Sequence, residues 1–365
     1  MIDDVQHMRH ALTLARRGTG RTGRVPSVGC VIVAADGRVI ARARTDESGR
    51  PHAEAAALAA AGKKARGATA YVTLEPCAHV GGTGGPCADA LIAAGVSRVV
   101  VACVDPDPRT NGQGIAKLKD AGIDVTVGVL ADEARESLAG FFKRVVDNRP
   151  LVTVKIAQSL DGKTASASGE SKWITSEESR RYGHLLRAQN DAILVGINTA
   201  LADDPELTVR LPGLETYSPI RVVLDTRLKL KPKSKLVQTA RETPTLVFTT
   251  SPDGGEKLRE SGVEIVRVAR DARGRPDIAA LLTQLAERGV TRLLVEGGAT
   301  VAAAFLDRGL ADRLEIFTAP VVLGAAGHGA VDALAALALD EAPKFTRISI
   351  RKLGSDVLES FAARA

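Results

Sequence analysis

Hydrophobic and polar positions along the chain alternate between short apolar runs and stretches with helical periodicity. Each apolar run in the first part has the length of one strand, and the Asp36-Gly37 pair between the first two runs predicts a hairpin. Helical periodicity separates most of the later runs, as in a βαβ layer. The predicted strands are 28–34, 38–44, 69–74, 97–102 and 123–127, and the predicted helices are 4–17, 51–61, 86–94, 111–121 and 130–146.

Asn148-Arg149-Pro150 marks the predicted boundary between two domains, 1–147 and 150–365. A chain of 365 residues exceeds the size that one hydrophobic core usually supports. Beyond the boundary the alternation starts again, without an internal repeat. The predicted strands are 151–157, 192–195, 221–224, 245–248, 264–268, 292–295, 313–318 and 345–352, the predicted helices are 176–189, 277–288 and one that Glu296-Gly297-Gly298 opens and Asp307 ends, and 226–240 is predicted as loop or edge.

The composition, with 45% hydrophobic and 25% charged residues, is ordinary for a soluble globular protein. No apolar run is long enough to cross a bilayer, and the N-terminus Met1-Ile2-Asp3-Asp4 lacks the basic character of a signal peptide. We therefore expect a cytoplasmic protein without a membrane partner. Two of the four cysteines, Cys30 and Cys103, lie at the edges of apolar runs, and we expect them to be reduced core residues.

A net charge of +6 and a pI near 9.2 are compatible with nucleic-acid binding. However, the charge is spread along the chain without a dense Lys/Arg block. Only 3% of the residues are aromatic, so platforms for stacking bases are scarce. These features favour an enzyme that acts on phosphorylated small molecules, with no nucleic-acid partner.

The stretch between Pro51 and Cys87 carries the strongest chemical signal. His52, Cys77 and Cys87 supply three protein ligands, the number that an open catalytic zinc site uses, with the fourth position left for water. Glu54 follows His52 by two residues, as in the His-x-Glu and Pro-Cys pattern of zinc-dependent deaminases, where the glutamate moves protons. Helices predicted to start at Pro51 and Pro86 would direct their positive ends toward the ligands, and Pro51 as first helical residue puts His52 and Glu54 in one turn.

Two other interpretations of these residues stay open at this stage. A structural zinc site would need a fourth protein ligand, which His79 is near enough to supply. Alternatively, no metal binds, the two cysteines are buried apolar residues and His52 is only a helix cap. The co-occurrence of His-x-Glu with two Pro-Cys pairs favours the catalytic zinc site.

Longer motifs in both halves resemble those of one known family. The first half contains Pro51-His52-Ala53-Glu54, Thr73-Leu74-Glu75-Pro76-Cys77 and Gly85-Pro86-Cys87-Ala88-Asp89-Ala90-Leu91; the second contains Ser159-Leu160-Asp161-Gly162, Ser168-Gly169-Glu170-Ser171-Lys172-Trp173-Ile174-Thr175, Leu201-Ala202-Asp203-Asp204-Pro205 and Glu296-Gly297-Gly298. The chain thereby resembles the bifunctional riboflavin-biosynthesis deaminase–reductases over nearly its whole length. The resemblance implies a cytidine-deaminase-like α/β/α domain followed by a dihydrofolate-reductase-like α/β domain.

The same resemblance implies two reactions. The first is a zinc-dependent hydrolytic deamination of a diaminopyrimidinone that carries a phosphoribosylamino arm, with Glu54 as proton shuttle. The second is reduction of the ribosyl arm to ribityl by NADPH. The residues implied in substrate binding are His79, Ser171, Arg187, Leu207, Arg210 and Glu296, and those implied in NADPH binding are Ala157, Trp173, Thr199, Asp203, Thr226 and Gly298 onward. Arginine forks suit phosphate oxygens, and a glycine pair at a helix start favours anion binding.

Some positions depart from the family pattern. Val25, Thr45 and Gly82 stand where the family usually has Asn, often has His, and has Arg or Lys, and nine residues separate Cys77 from Cys87, one more than usual. Two rival functions explain less of the chain. A deaminase acting on a base in tRNA or single-stranded nucleic acid leaves the second domain unused, and a non-catalytic zinc scaffold leaves Glu54 unused. Base rates make a homodimer the first expectation for assembly.

Overall fold

The computed structural model describes residues 3–79, 85–336 and 338–364. The chain divides into two compact units, Met1–Arg149 and Pro150–Ala365. Within the described ranges, none of the helices combines the length and apolar character that a membrane-crossing segment needs. Gly82, one of the positions that depart from the family pattern, lies outside the described residues.

The first unit contains one mixed sheet, in the order β2-β1-β3-β4-β5 over the described residues. The strand β1 runs antiparallel to β2 and β3, whereas β3, β4 and β5 run parallel. Buried apolar side chains of the sheet and of α1 to α3 form one core. The strands are β1 (Gly29–Val33), β2 (Val39–Arg44), β3 (Thr69–Val72), β4 (Arg98–Val101) and β5 (Asp124–Val127), and the helices are α1 (Asp4–Arg16), α2 (Ala53–Ala61), α3 (Cys87–Ala94), α4 (Gln113–Asp120), α5 (Ala131–Ser137) and α6 (Ala139–Asp147).

Two sequence predictions for this unit were wrong in detail. The first zinc helix begins at Ala53 rather than Pro51, because His52 has an extended backbone (φ −66°, ψ 160°) and serves as the N-cap of α2. His52 therefore lies just outside the first turn that contains Glu54. The single helix predicted at 130–146 is two helices, because Leu138, at φ −100° and ψ 9°, ends α5 and precedes α6. The other predicted helices of the first unit are confirmed within about two residues.

The second unit contains a larger sheet in the order β11-β10-β9-β8-β12-β6-β13-β16-β15, and β14 pairs with β7, all within the described ranges. The seven strands from β11 to β13 run parallel, and β16 and β15 continue the sheet antiparallel. The strands are β6 (Leu151–Ser159), β7 (Lys163–Ala165), β8 (Ala192–Gly196), β9 (Ile220–Leu224), β10 (Thr245–Thr249), β11 (Glu264–Arg267), β12 (Arg292–Val295), β13 (Arg313–Ala319), β14 (His328–Gly329), β15 (Phe345–Leu353) and β16 (Asp356–Ala363). The helices are α7 (Glu177–Ala188), α8 (Ile197–Asp203), α9 (Lys235–Gln238), α10 (Glu256–Glu260), α11 (Ile278–Glu287) and α12 (Ala299–Asp307).

Apolar clusters cover both faces of this sheet, which explains why its inner strands have continuous rather than alternating apolar sequences. The predicted strands are all present. The apolar pattern of the sequence did not predict β7, β14, β16, α8 and α10, and α9 lies in the segment 226–240 that was predicted as loop or edge. The strand β16 was missed because burial along it does not follow residue type. The polar Asp356 is buried together with Leu358, whereas the apolar Val357 is 39% exposed.

Candidate active sites

His52, Cys77 and Cys87 converge in the first unit from three different elements. His52 caps α2, Cys77 lies in the segment that follows β3, and Cys87 is the first residue of α3. One ligand atom of each residue lies within 4.8 Å of the others. His52 Nδ1 is 3.6 Å from Cys77 Sγ and 3.4 Å from Cys87 Sγ. The structure therefore brings together the three donors that the sequence singled out.

The donor set fits a zinc ion with an open coordination position. The backbone N–H of Cys87 donates to Cys77 Sγ at 3.3 Å, and a hydrogen bond from the Cys87 thiol lowers the pKa of Cys77. The same contact and burial raise the pKa of Cys87, because two adjacent buried thiolates repel each other. A divalent cation would relieve that repulsion. Over the described residues, no fourth His, Cys, Asp or Glu joins this cluster, as a catalytic rather than structural site requires.

Glu54 lies beside these ligands as the second residue of α2. Its side chain is buried, with 3% of the residue exposed. Burial raises the pKa of the Glu54 carboxyl to about 7, and a hydrogen bond from its own backbone N–H only partly offsets the effect. A carboxyl group that gains and loses a proton near neutral pH suits general acid–base chemistry.

Glu75, which stands out in the sequence only as part of a motif, organises the segment beside Cys77. Its buried carboxylate accepts hydrogen bonds from four backbone N–H groups, those of Asp105, Gly112, Gly114 and Ile115, at 2.9 to 3.2 Å. One carboxylate thus holds the start of α4 and the preceding loop against the ligand segment. A glutamate between a strand end and a Pro-Cys pair is the signal that sequence reasoning could have used.

His79 and Asp105 lie at this loop, whereas Thr45 follows β2. His79 is half-buried, and its Nδ1 lies 3.0 Å from the hydroxyl of Thr110. Burial raises the pKa of Asp105 to about 6. Thr45 has a structural role: its hydroxyl accepts the N–H of Val28 at 2.9 Å and donates to the carbonyl of Pro26 at 3.1 Å.

The second unit contains a cavity of about 780 Å³ at the carboxyl ends of the parallel strands. Nearly all of the reductase residues implied by the resemblance line it. They are Ala157, Ser171, Trp173, Arg187, Thr199, Asp203, Leu207, Arg210, Glu296 and Gly298. Thr226 is the exception: it follows β9, half-buried, and its carbonyl accepts hydrogen bonds from the hydroxyls of Thr249 and Thr250.

Arg187 and Glu296, which both line this cavity, form an ion pair. Arg187 Nε and Nη2 donate to the two carboxylate oxygens of Glu296 at 2.8 and 2.9 Å, and Arg187 Nη1 donates to the carbonyl of Thr208 at 3.1 Å. Burial alone would raise the pKa of Glu296, but the charges of Arg187 and Lys155 outweigh it and hold the pKa at about 2. Glu296 is therefore an ionised, oriented carboxylate.

Lys155 and His184 also line the cavity, although no sequence pattern points to them. Lys155 projects from β6 over the ring of Phe317 at 5.6 Å, and burial lowers its pKa. Burial, followed by the charges of Arg187 and Arg210, lowers the pKa of His184 to about 4, so its imidazole is neutral near pH 7. Neither residue belongs to a sequence motif. Lys155 reaches the cavity from β6 and His184 from α7.

Comparisons with known proteins match both units. Residues 1–103 match the family model described as the cytidine and deoxycytidylate deaminase zinc-binding region, and residues 150–358 match the RibD C-terminal domain. The riboflavin biosynthesis protein RibD of Aquifex aeolicus (strain VF5) is 42% identical over 360 residues, covering 98% of each chain. The RibD structure of Acinetobacter baumannii (form 1) has a TM-score of 0.90 at 37% identity and 99% coverage of both chains.

The chain belongs to the RibD family. A Thermotoga maritima structure described as a diaminohydroxyphosphoribosylaminopyrimidine deaminase/5-amino-6-(5-phosphoribosylamino)uracil reductase is similar as well, with a TM-score of 0.88 at 35% identity over 99% of both chains. The predicted fold class is confirmed: a deaminase-type unit precedes the RibD reductase unit. The chain is accordingly a bifunctional deaminase and reductase of riboflavin biosynthesis.

Zinc and NADPH are the cofactors of this chain. The reductase cavity has the size of a cofactor site. Gly297, Gly298 and Ala299 line it where α12 begins, and the first N–H groups of a helix have no partner within the helix. Such N–H groups suit the diphosphate of a dinucleotide.

Proposed function

We propose that the first unit deaminates 2,5-diamino-6-(5-phosphoribosylamino)pyrimidin-4-one and that the second unit reduces the ribosyl arm of the product to ribityl with NADPH. The observation that supports the deamination most directly is the convergence of His52, Cys77 and Cys87 within 4.8 Å beside the buried Glu54. In this reaction the bond between a ring carbon and its exocyclic amino group is replaced by a C–O bond from water, and ammonia leaves.

Within the deaminase unit we assign His52, Cys77 and Cys87 as the zinc ligands and Glu54 as the catalytic residue. When bound, zinc lowers the pKa of a water molecule toward about 7. Glu54 accepts the proton of the attacking water and delivers it to the departing amine, which its buried, near-neutral carboxyl allows. We assign His79, which adjoins the ligand segment, to substrate binding.

Within the reductase unit we propose that Ala157, Trp173, Thr199, Asp203 and Gly298 contact NADPH, which supplies the hydride. Thr226 belongs to the same proposal, beyond the cavity along the strand ends. For substrate binding we propose five residues that line the cavity: Ser171, Arg187, Leu207, Arg210 and Glu296. The reduction also consumes one proton, and we propose Lys155 as its source, because a buried ammonium with a lowered pKa gives up its proton readily.

We further propose that the partners are phosphoribosylaminopyrimidines rather than nucleic acids and that the chain works as a homodimer in the cytoplasm. The cysteines Cys30, Cys77, Cys87 and Cys103 are all free thiols, as a reducing compartment keeps them. The nine-residue strand β15 ends the order of the large sheet, and its Ile348 and Ile350 are 53% and 60% exposed. A long edge strand with exposed apolar residues is a surface that a second copy can cover.

One experiment tests both activities. The zinc-loaded protein is incubated with the diaminopyrimidinone substrate, with and without NADPH, and ammonia release and NADPH oxidation are followed separately. We expect ammonia in both samples and NADPH oxidation that depends on prior deamination. Ammonia release without any NADPH oxidation would contradict the reductase proposal, and the absence of ammonia would contradict the deaminase proposal.

A further inference from the structure

Two cations from different segments meet at one carboxylate in the reductase cavity. Arg210 Nη1 lies 3.3 Å from Glu206 Oε2, and Lys235 Nζ lies 3.8 Å from Glu206 Oε1. The three side chains are about half exposed, at 54%, 53% and 44% for Arg210, Lys235 and Glu206. Exposed ion pairs of this kind contribute little to stability and cannot by themselves hold Arg210 and Lys235 in place. The positions of the two cations must therefore have another cause.

That cause is a buried scaffold beneath the two segments. Arg221 is fully buried, and its guanidinium donates to the carbonyl of Glu206 at 3.2 Å and to that of Leu236 at 3.2 Å. The backbone N–H of Lys235 also donates to the carboxylate of Asp204 at 3.0 Å. The backbones that carry Glu206 and Lys235 are therefore fixed side by side, independently of the exposed ion pairs.

Arg187, another arginine that lines the cavity, is already engaged. Three of its five N–H groups donate to Glu296 and Thr208, so the fork formed by Nε and Nη2 is already taken by a carboxylate. The substrate of the proposed reduction carries a 5-phosphate with about two negative charges. Arg210 and Lys235, by contrast, share one carboxylate partner, Glu206, which is half exposed and carries a single charge.

We propose that Lys235 joins Arg210 to bind the 5-phosphate of the reductase substrate, and that Glu206 is the internal counter-ion that the phosphate displaces. This assignment rests on the proposed reductase function. The phosphate brings two negative charges to the two cations, where Glu206 supplies one. The buried contacts of Arg221 already hold the backbone at this position. Lys235 is a specificity-determining residue in this scheme because an arm without phosphate gains nothing from it.

Binding is tested apart from turnover through Trp173, which is the single tryptophan of the chain and lines the cavity. Its fluorescence is titrated with 5-amino-6-(5-phosphoribosylamino)uracil and with the dephosphorylated compound, using the full chain. Lys235→Ala is expected to weaken binding of the phosphorylated compound roughly tenfold and to leave the dephosphorylated one unchanged. Arg210→Ala serves as the positive control. Lys233→Ala removes an exposed lysine outside the cavity lining and is the matched negative control.

Glu206→Gln is expected to tighten binding of the phosphorylated compound severalfold, because it removes the competing charge. An unchanged dissociation constant in Lys235→Ala, or equal losses for both compounds, would overturn the proposal. Weaker phosphorylated-ligand binding in Glu206→Gln would equally overturn the counter-ion role. A Lys235→Ala variant that raises the KM for NADPH instead would place Lys235 in the cofactor site. NADPH oxidation by the wild type reports on the proposed function separately.

Discussion

At the scale of single residues, buried carboxylates have three different tasks in this molecule. Glu54 is placed to move protons, Glu75 holds backbone N–H groups, and Glu296 is kept ionised by Arg187. Environment decides the task, because the side chains are chemically identical. The sequence pattern found Glu54 by its spacing from His52, and the family resemblance supplied Glu296, whereas the bonds of Glu75 to residues 30 or more positions away needed the fold.

Replacing Glu54 by Gln tests the proton shuttle. The amide keeps the shape of the side chain but cannot accept a proton, so we expect ammonia release to fall by about 10² to 10⁴-fold. Zinc content and NADPH oxidation with deaminated substrate should be unchanged. Glu133→Gln, at an exposed ion pair with Arg16, is the control. Loss of both activities in a folded, zinc-loaded Glu54→Gln protein would argue against the assignment.

The Arg187–Glu296 pair predicts a pH dependence of stability. The pKa of Glu296 is about 2 in the folded chain, against about 4.5 for an unperturbed glutamate. Folding therefore favours the ionised form, and the pair contributes stability that is complete above about pH 4.5 and declines as the pH falls toward 2. The contribution is on the order of 3 kcal/mol, from a shift of 2 to 3 pH units.

Unfolding by urea at several pH values measures this contribution. We expect the free energy of unfolding of the second unit to exceed that of the Glu296→Gln variant by the most above pH 5. The difference should shrink as the pH falls toward 3. A difference that is constant over this range would mean that ionisation of Glu296 does not contribute.

At the scale of elements, close backbone contacts decide how helices sit on the zinc site. A Cβ atom built on Gly114, the second residue of α4, would lie 2.0 Å from the carbonyl oxygen of Pro76. Pro76 directly precedes the ligand Cys77. The helix α4 can therefore approach the ligand segment only because residue 114 has no side chain.

Gly114→Ala should consequently move α4 away from the segment that carries Cys77. We expect the first unit to lose about 2 kcal/mol or more of stability, and zinc affinity to fall with it. Thermal unfolding and a competitive zinc titration measure the two effects. Gly183→Ala is the matched control, because it adds the same methyl group to the helix α7 where nothing lies within 4 Å. Equal stability changes in the two variants would contradict the close-contact explanation.

Elements also show which sequence signals are reliable. Continuous apolar runs correctly predicted the parallel strands, since such strands are buried on both faces. The strand β16 was missed because its pairing with β13 and β15, rather than its own apolar content, makes it a strand. Likewise, α8 and α9 are short, and short helices depend on their tertiary contacts.

At the scale of the whole molecule, the exposed edge of the large sheet bears on assembly. Within the described residues, β15 pairs with β16 on one side and with no strand on the other. If this edge forms the proposed homodimer, Ile350→Lys should produce monomers, because the charge cannot be buried in an apolar contact. Light scattering measures the molar mass. Val322→Lys, at a 67% exposed valine outside β15, is the control. A dimeric Ile350→Lys protein would exclude this edge as the interface.

Motif spacing along the chain was sufficient to predict a zinc ligand set, a proton shuttle and two successive α/β units, because ligand type and apolar periodicity are local properties. The resemblance to one family supplied the reductase residues. Only the tertiary structure showed that Glu75 holds the loop beside Cys77, that Lys155 and His184 face the cavity, and that Arg221 fixes Glu206 beside Lys235. These roles depend on contacts between residues far apart in the chain, and nothing in the local pattern of a sequence encodes which distant backbone atoms a buried charge will meet.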